Sequence, residues 1–99
     1  MAMTDETVKQ VPLSGAIERT PTILIVDDEA LIRMTVSDFL QERGFKVLEA
    51  SNAAEAIEAI RSSRIAIDLV FSDVRMPGDL DGFGLATWIR KNRPELPVI

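Results

Sequence analysis

The 99-residue chain contains no cysteine and no histidine. The first absence removes disulfides, zinc–thiolate centres and thiol nucleophiles. The second removes Ser-His triads and imidazole metal ligands. Acid–base or nucleophilic chemistry is therefore left to carboxylates, hydroxyls and lysine. No apolar run reaches the roughly 20 residues that cross a bilayer. Residues 1–20 lack the basic start and apolar centre of a secretory signal. Cations are in deficit: 11 Lys and Arg against 16 Asp and Glu give a net charge of −5, which repels the DNA backbone. No block of Lys and Arg offers a membrane patch. Neither nucleic acid nor membrane is an expected direct partner, and the cytoplasm is the expected location.

The composition, 46% hydrophobic and 27% charged, suits one globular domain with a modest core. Residues 1–20 show no periodicity and are expected to form a flexible leader, with residues 21–99 as the folded part. Thr22 to Val26 is a short β-branched run that predicts a buried strand. Over 30–43, Leu31, Ile32, Val36, Phe39 and Leu40 recur at helical spacing, and Gly44 supplies the stop. Asp28 and Glu29 suit the positive end of that helix. Phe45 to Ala50 predicts a second strand. Asn52 with Glu55 resembles a capping box for a helix running to about Arg61, with Ala53, Ala56, Ile57 and Ile60 as its apolar stripe. Ile65 to Ser72 predicts a third strand, apolar on both faces at Leu69-Val70-Phe71. Met76 to Gly82 is a loop by its Pro and Gly content. Phe83 to Lys91 predicts a third helix with Leu85, Ala86 and Ile89 inward, and Leu96 to Ile99 begins a fourth strand. This alternation calls for an α/β fold, a parallel sheet covered by helices on both faces.

Two of the strands end in acid. Ile23-Leu24-Ile25-Val26 runs into Asp27-Asp28, and Leu69-Val70-Phe71-Ser72 runs into Asp73. Parallel strands bring these three carboxylates to one sheet edge, where such folds bind ligands. Like charges that close repel one another, so a cation among them is the natural complement. Mg2+ is the obvious candidate, a hard ion that prefers carboxylate oxygen and keeps positions open for phosphate.

The segments Ile23 to Glu29, Ser72-Asp73-Val74-Arg75-Met76-Pro77-Gly78 and Asp81-Gly82, taken with their spacing, resemble a response-regulator receiver domain. The resemblance covers about residues 21–99. It implies a flavodoxin-like doubly wound sheet of strand order 2-1-3-4-5, an order that belongs to the family and not to any pattern in these residues. It implies Asp73 as the phosphoacceptor for a histidine kinase or a histidine phosphotransfer protein. Asp28 would bind Mg2+ directly, Asp27 would assist through an intervening water, and the backbone carbonyl of Arg75 would be a further ligand. Met76-Pro77 would shape the loop below the site. A carboxylate can attack phosphorus to give an acyl phosphate, a reaction that needs positioning and charge neutralisation more than proton transfer. The absence of histidine fits a phosphohistidine supplied by another protein or domain. The output would be a changed contact with a downstream protein target.

The chain also departs from the receiver pattern. Receivers carry a Thr or Ser after the fourth strand and a Lys after the fifth, and no residue here stands at either position. The fourth helix, fifth strand and fifth helix are missing, so a partial receiver is expected, with an uncovered first helix and an open strand edge. Such surfaces invite association. Either a longer parent chain or a second copy, through the sheet edge or by domain exchange, would cover them. Arg75, a long cation beside Asp73, is expected to modulate the lifetime of an acyl phosphate.

Two other functions compete. A phosphorylation-independent interaction module is favoured by the missing Thr/Ser and Lys. A Mg2+-dependent phosphatase of the haloacid-dehalogenase type would place a second Asp two residues after the nucleophile. That position is Arg75, which speaks against turnover of an external substrate.

Overall fold

The computed structural model describes residues 20–62, 64–73 and 81–99. The leader assigned to residues 1–20 therefore lies outside the described residues except for Thr20, and so do Arg75 and Met76-Pro77 with the rest of the loop at 74–80. The described elements are β1 (Thr22–Val26), α1 (Ala30–Glu42), β2 (Lys46–Ala50), α2 (Ala53–Ser62), β3 (Leu69–Ser72) and α3 (Gly82–Asn92). The three strands form a parallel sheet in the order β2-β1-β3. Val98 then bridges Val70 in parallel, with Val70 N–H donating to the Pro97 carbonyl and Ile99 N–H to the Val70 carbonyl, both at 2.9 Å. The order thus runs 2-1-3 and continues into the start of a fourth strand, as expected.

β1 is central and all five of its residues are buried. Side chains alternate across a strand. Leu24 and Val26 join Ala50, Val70, Ala53, Ala56, Ile60, Leu85, Ile89 and Leu96 in one core on the face covered by α2 and α3. Ile23 and Ile25 therefore point to the opposite face, where α1 packs on β1 and β2. The α2 stripe expected from the sequence is the packed one, with Ala53, Ala56 and Ile60 buried and Ile57 half-buried. Trp88 is half-buried against the core.

α1 differs from expectation. Its sheet-facing residues are Arg33, Val36, Ser37 and Leu40, and Ser37 is the one fully buried. Leu31, Ile32 and Phe39 are 76%, 47% and 51% exposed, so part of the apolar pattern lies away from the sheet. Phe71 is 43% exposed on β3, because a single described helix covers that side of the sheet. The Leu69-Val70-Phe71 run is consequently enclosed on the Val70 face and only partly covered on the other.

The third strand is shorter than the predicted Ile65–Ser72. β1 starts at Thr22 and its register pairs Ile23 with Leu69, so no residue of β1 stands opposite Ile65 to Ile67. Asp68 marks the junction: its amide donates to the Thr22 carbonyl, and its carboxylate accepts from the Thr22 amide, each at 2.8 Å. Nothing in the local sequence around Asp68 points to this double bond with a residue so far along the chain.

The helix ends follow their local chemistry. α1 stops in a Schellman motif: Gly44 N–H donates to Gln41 at 3.0 Å and Phe45 N–H to Leu40 at 3.1 Å. Gly44 has φ +94°, which a residue with a Cβ adopts only with strain. Phe45 is used in this closure, so β2 begins at Lys46 rather than at Phe45. At α2, Asn52 Oδ1 accepts from the Glu55 amide at 2.8 Å as a capping box requires. The reciprocal bond falls one residue earlier, on the Ser51 amide and hydroxyl. Asp81, expected to be loop chemistry, is the N-cap of α3 and accepts from the Gly84 amide at 3.0 Å.

Candidate functional site

The carboxyl ends of β1 and β3 are neighbours because Val26 pairs with Ser72. The next residue on each strand is an aspartate. Asp73 N–H donates to the Val26 carbonyl at 2.8 Å, continuing the ladder one residue past β3. Asp27 N–H donates across the other side of β1 to the Ala50 carbonyl at 3.1 Å. The backbones of Asp27 and Asp73 are thus set by sheet hydrogen bonds, and Asp28 follows where the chain leaves β1 for α1. One carboxylate oxygen each from Asp27, Asp28 and Asp73 lies within 4.8 Å of the others. Asp27 and Asp73 are half-buried and Asp28 is exposed.

Asp27 carries a further constraint. Its Oδ1 accepts from the Glu29 amide at 2.9 Å, which tightens the turn into α1. Its backbone carbonyl accepts from Arg33 Nη1 at 2.8 Å. Arg33 Nε in turn bonds Glu49 Oε1 at 2.9 Å. In the sequence Arg33 interrupts the apolar pattern of α1 as a charged residue, although the helix turns it toward the sheet, and neither it nor Glu49 stands out as a site residue. The available signal is positional: an arginine one turn into the first helix, and a glutamate one residue before the end of the second strand. Glu29 is the N-cap residue of α1, and its side chain makes no capping hydrogen bond.

The three acids satisfy the elementary requirements of a hard cation site. Mg2+ binds oxygen at about 2.0–2.1 Å, so opposite ligands stand about 4.2 Å apart. Carboxylate oxygens within 4.8 Å of one another are close to that spacing, so the three residues fit such an ion. Partial exposure leaves room for water and phosphate oxygens. Arg75, whose backbone carbonyl was expected to complete the set, lies outside the described residues. A cleft of about 500 Å³ opens at the other ends of the strands between Ile60, Asp68, Arg93 and Leu96 and contains none of the three acids. It lacks the convergent carboxylates that make the triad chemically distinctive. No described helix is long and apolar enough to cross a membrane.

Comparison with known proteins agrees with the fold. Residues 23–99 match the response regulator receiver domain family. The sensor kinase CckA of Brucella abortus is 36% identical over 91 residues, which is 92% of this chain and 10% of the kinase. The DNA-binding transcriptional regulator NtrC of Rhizobium meliloti is 42% identical over 78 residues, 79% of this chain and 16% of the regulator. The chain therefore spans a small part of the length of these relatives. Among solved structures, the response regulator TrrA of Thermotoga maritima, in complex with Mg(2+)-BeF, aligns with a TM-score of 0.74 and 37% identity, covering 80% of this chain and 66% of TrrA. A receiver domain protein of Clostridium thermocellum aligns with a TM-score of 0.74 and 32% identity over 79% of this chain and 61% of that one. With its three-stranded parallel sheet, its flanking helices and a family match across 23–99, the chain belongs to the response-regulator receiver domains of two-component systems.

Proposed function

We propose that this receiver is a phosphoacceptor. Asp73 takes a phosphoryl group from a phosphohistidine on a histidine kinase or a histidine phosphotransfer protein. The observation that carries the reading is the meeting of Asp27, Asp28 and Asp73 within 4.8 Å at the carboxyl ends of two adjacent strands. The likeness to sensor kinases and to TrrA, itself solved with Mg(2+)-BeF, supports both the partner class and the metal.

In this reading Asp27, Asp28, Asp73 and the Arg75 carbonyl would hold Mg2+. When bound, the ion offsets the charge of the acids and of the incoming phosphoryl oxygens. A carboxylate oxygen of Asp73 forms a bond to phosphorus, the phosphorus–nitrogen bond breaks, and the leaving imidazole takes a proton from water. The ladder bond from Asp73 N–H to Val26 keeps the nucleophile at the sheet edge. Sheet anchoring of Asp27 keeps the acidic pair beside it. The chain turns over no external substrate, and its output is a changed contact with a downstream protein. Residues 21–99 form the receiver unit behind a leader at 1–20, and the setting is cytoplasmic. The exposed apolar residues of α1 also suit a homodimer.

Incubation with Mg2+ and acetyl phosphate, followed by intact mass measurement, tests the proposal. A phosphoryl adduct that is absent in Asp73→Asn is expected. A folded protein that gains no adduct would leave the phosphorylation-independent interaction module as the function.

A further inference from the structure

Asp27 is held through three of its groups. Its amide is bonded to Ala50, its carboxylate to the Glu29 amide and its carbonyl to Arg33, and Arg33 is itself anchored by Glu49. Glu49 directly precedes Ala50 on β2. The end of β2 therefore grips Asp27 twice, once through backbone and once through the Glu49–Arg33 pair. The second grip matters for a specific reason. At Asp27 the chain leaves the sheet, and its carbonyl accepts from a helix side chain rather than from a strand. A guanidinium presents several donors in a rigid plane, so one group can bond the carbonyl and the glutamate together. The Arg33 side chain is 18% exposed, which limits competition from water.

We infer that Arg33 is a positioning residue for the acidic site. Its guanidinium, oriented by Glu49, fixes the Asp27–Glu29 turn and so presents Asp27 and Asp28 in the geometry that takes up a divalent cation. The metal arm of this inference rests on the phosphoacceptor reading; the fixed turn does not. Two effects of Arg33 on Mg2+ binding have opposite signs. As a positive charge near the site it repels the ion, so electrostatics alone makes a neutral variant bind more tightly. As a strap it preorganises the ligands, and loss of such outer partners lowers metal affinity about 10–100-fold. Positioning wins if the neutral variant binds more weakly.

The test uses Arg33→Gln, Arg33→Lys and Glu49→Gln in the 99-residue chain, with folding checked by circular dichroism. Two quantities are measured: Mg2+ affinity by calorimetry, and solvent exchange of the Asp27 and Glu29 amides by NMR in metal-free buffer. Arg33→Gln is expected to lower Mg2+ affinity about tenfold and to speed amide exchange by a similar factor. Arg33→Lys keeps the charge without the planar fork, so it shows most of both losses. Glu49→Gln, the milder change, moves both in the same direction by less, and carries the test if Arg33→Gln fails to fold. Unchanged amide exchange in Arg33→Gln or Glu49→Gln would overturn the inference, as would full rescue by Arg33→Lys or tighter Mg2+ binding by Arg33→Gln. If the parent protein takes up no Mg2+, the phosphoacceptor reading falls, and amide exchange alone decides whether the strap exists.

Discussion

Replacing Asp28 with asparagine should make the metal-free protein more stable, although it removes a residue central to the proposed site. Two unit charges 4.8 Å apart repel by about 0.9 kcal/mol in a water-like dielectric and by about 3.5 kcal/mol at an effective value of about 20. Asp28 is exposed, which places its pairs near the lower figure. It faces two partners, Asp27 and Asp73, so neutralising it relieves about 1–2 kcal/mol. The substitution also forfeits a favourable charge beside the N-terminus of α1, worth about 0.5 kcal/mol, which reduces the gain without reversing it. The assay is urea unfolding in EDTA, followed by the fluorescence of Trp88, the single tryptophan, which packs against the core. In about 1 M salt, where screening acts over about 3 Å, most of the gain should vanish. Mg2+ should then invert the order. At an ion concentration about a hundred times the dissociation constant the parent gains about 2.7 kcal/mol, and Asp28→Asn gains far less. A variant that is less stable than the parent in EDTA, or one that responds to Mg2+ as the parent does, would refute the account of the triad.

Three further perturbations probe the frame that holds the site. Gly44→Ala should cost about 1 kcal/mol by urea unfolding, because φ is +94° while an added Cβ would meet nothing within 4 Å, so strain acts without a clash. Asp81→Ala removes the N-cap bond to Gly84 and should cost about 1 kcal/mol, read as a lower Tm. The Ser51 amide, with a smaller contribution from the Ser51 hydroxyl, holds the Glu55 carboxyl below its ordinary 4.5. A carboxyl depressed on folding contributes stability above its unfolded pKa and loses it as pH falls through the folded value. The start of α2 should therefore loosen below about pH 4.5. In Ser51→Ala, NMR titration should show the Glu55 pKa rising part of the way back, since the backbone bond remains.

Most of the scaffold is legible along the chain because its signals are local. The strand at Thr22–Val26 announces itself as a continuous apolar run, Gly44 as a helix stop, and Asn52 with Glu55 as a helix start. The errors fall where a partner decides. Ile65 to Ile67 have strand-like residues, yet β1 begins too late to pair with them. Leu31 and Phe39 keep helical periodicity, yet the sheet meets the Arg33–Ser37–Leu40 side of α1. Asp81 has the composition of a loop residue around it, and its capping role exists only because the helix begins beside it.

By itself, the order of residues determined that two apolar strands end in aspartate and that helices separate them, because strand and helix periodicity are properties of consecutive positions. Only the tertiary structure decided that Val26 stands beside Ser72, which brings Asp27, Asp28 and Asp73 within 4.8 Å of one another. It alone coupled Arg33 to both Asp27 and Glu49. Arg33 and Glu49 lie 16 residues apart in the chain, and Thr22 and Asp68, at the far end of the same ladder, lie 46 apart. Parallel pairing across crossover helices is what closes such distances, and no run of consecutive residues encodes which strand will be the neighbour.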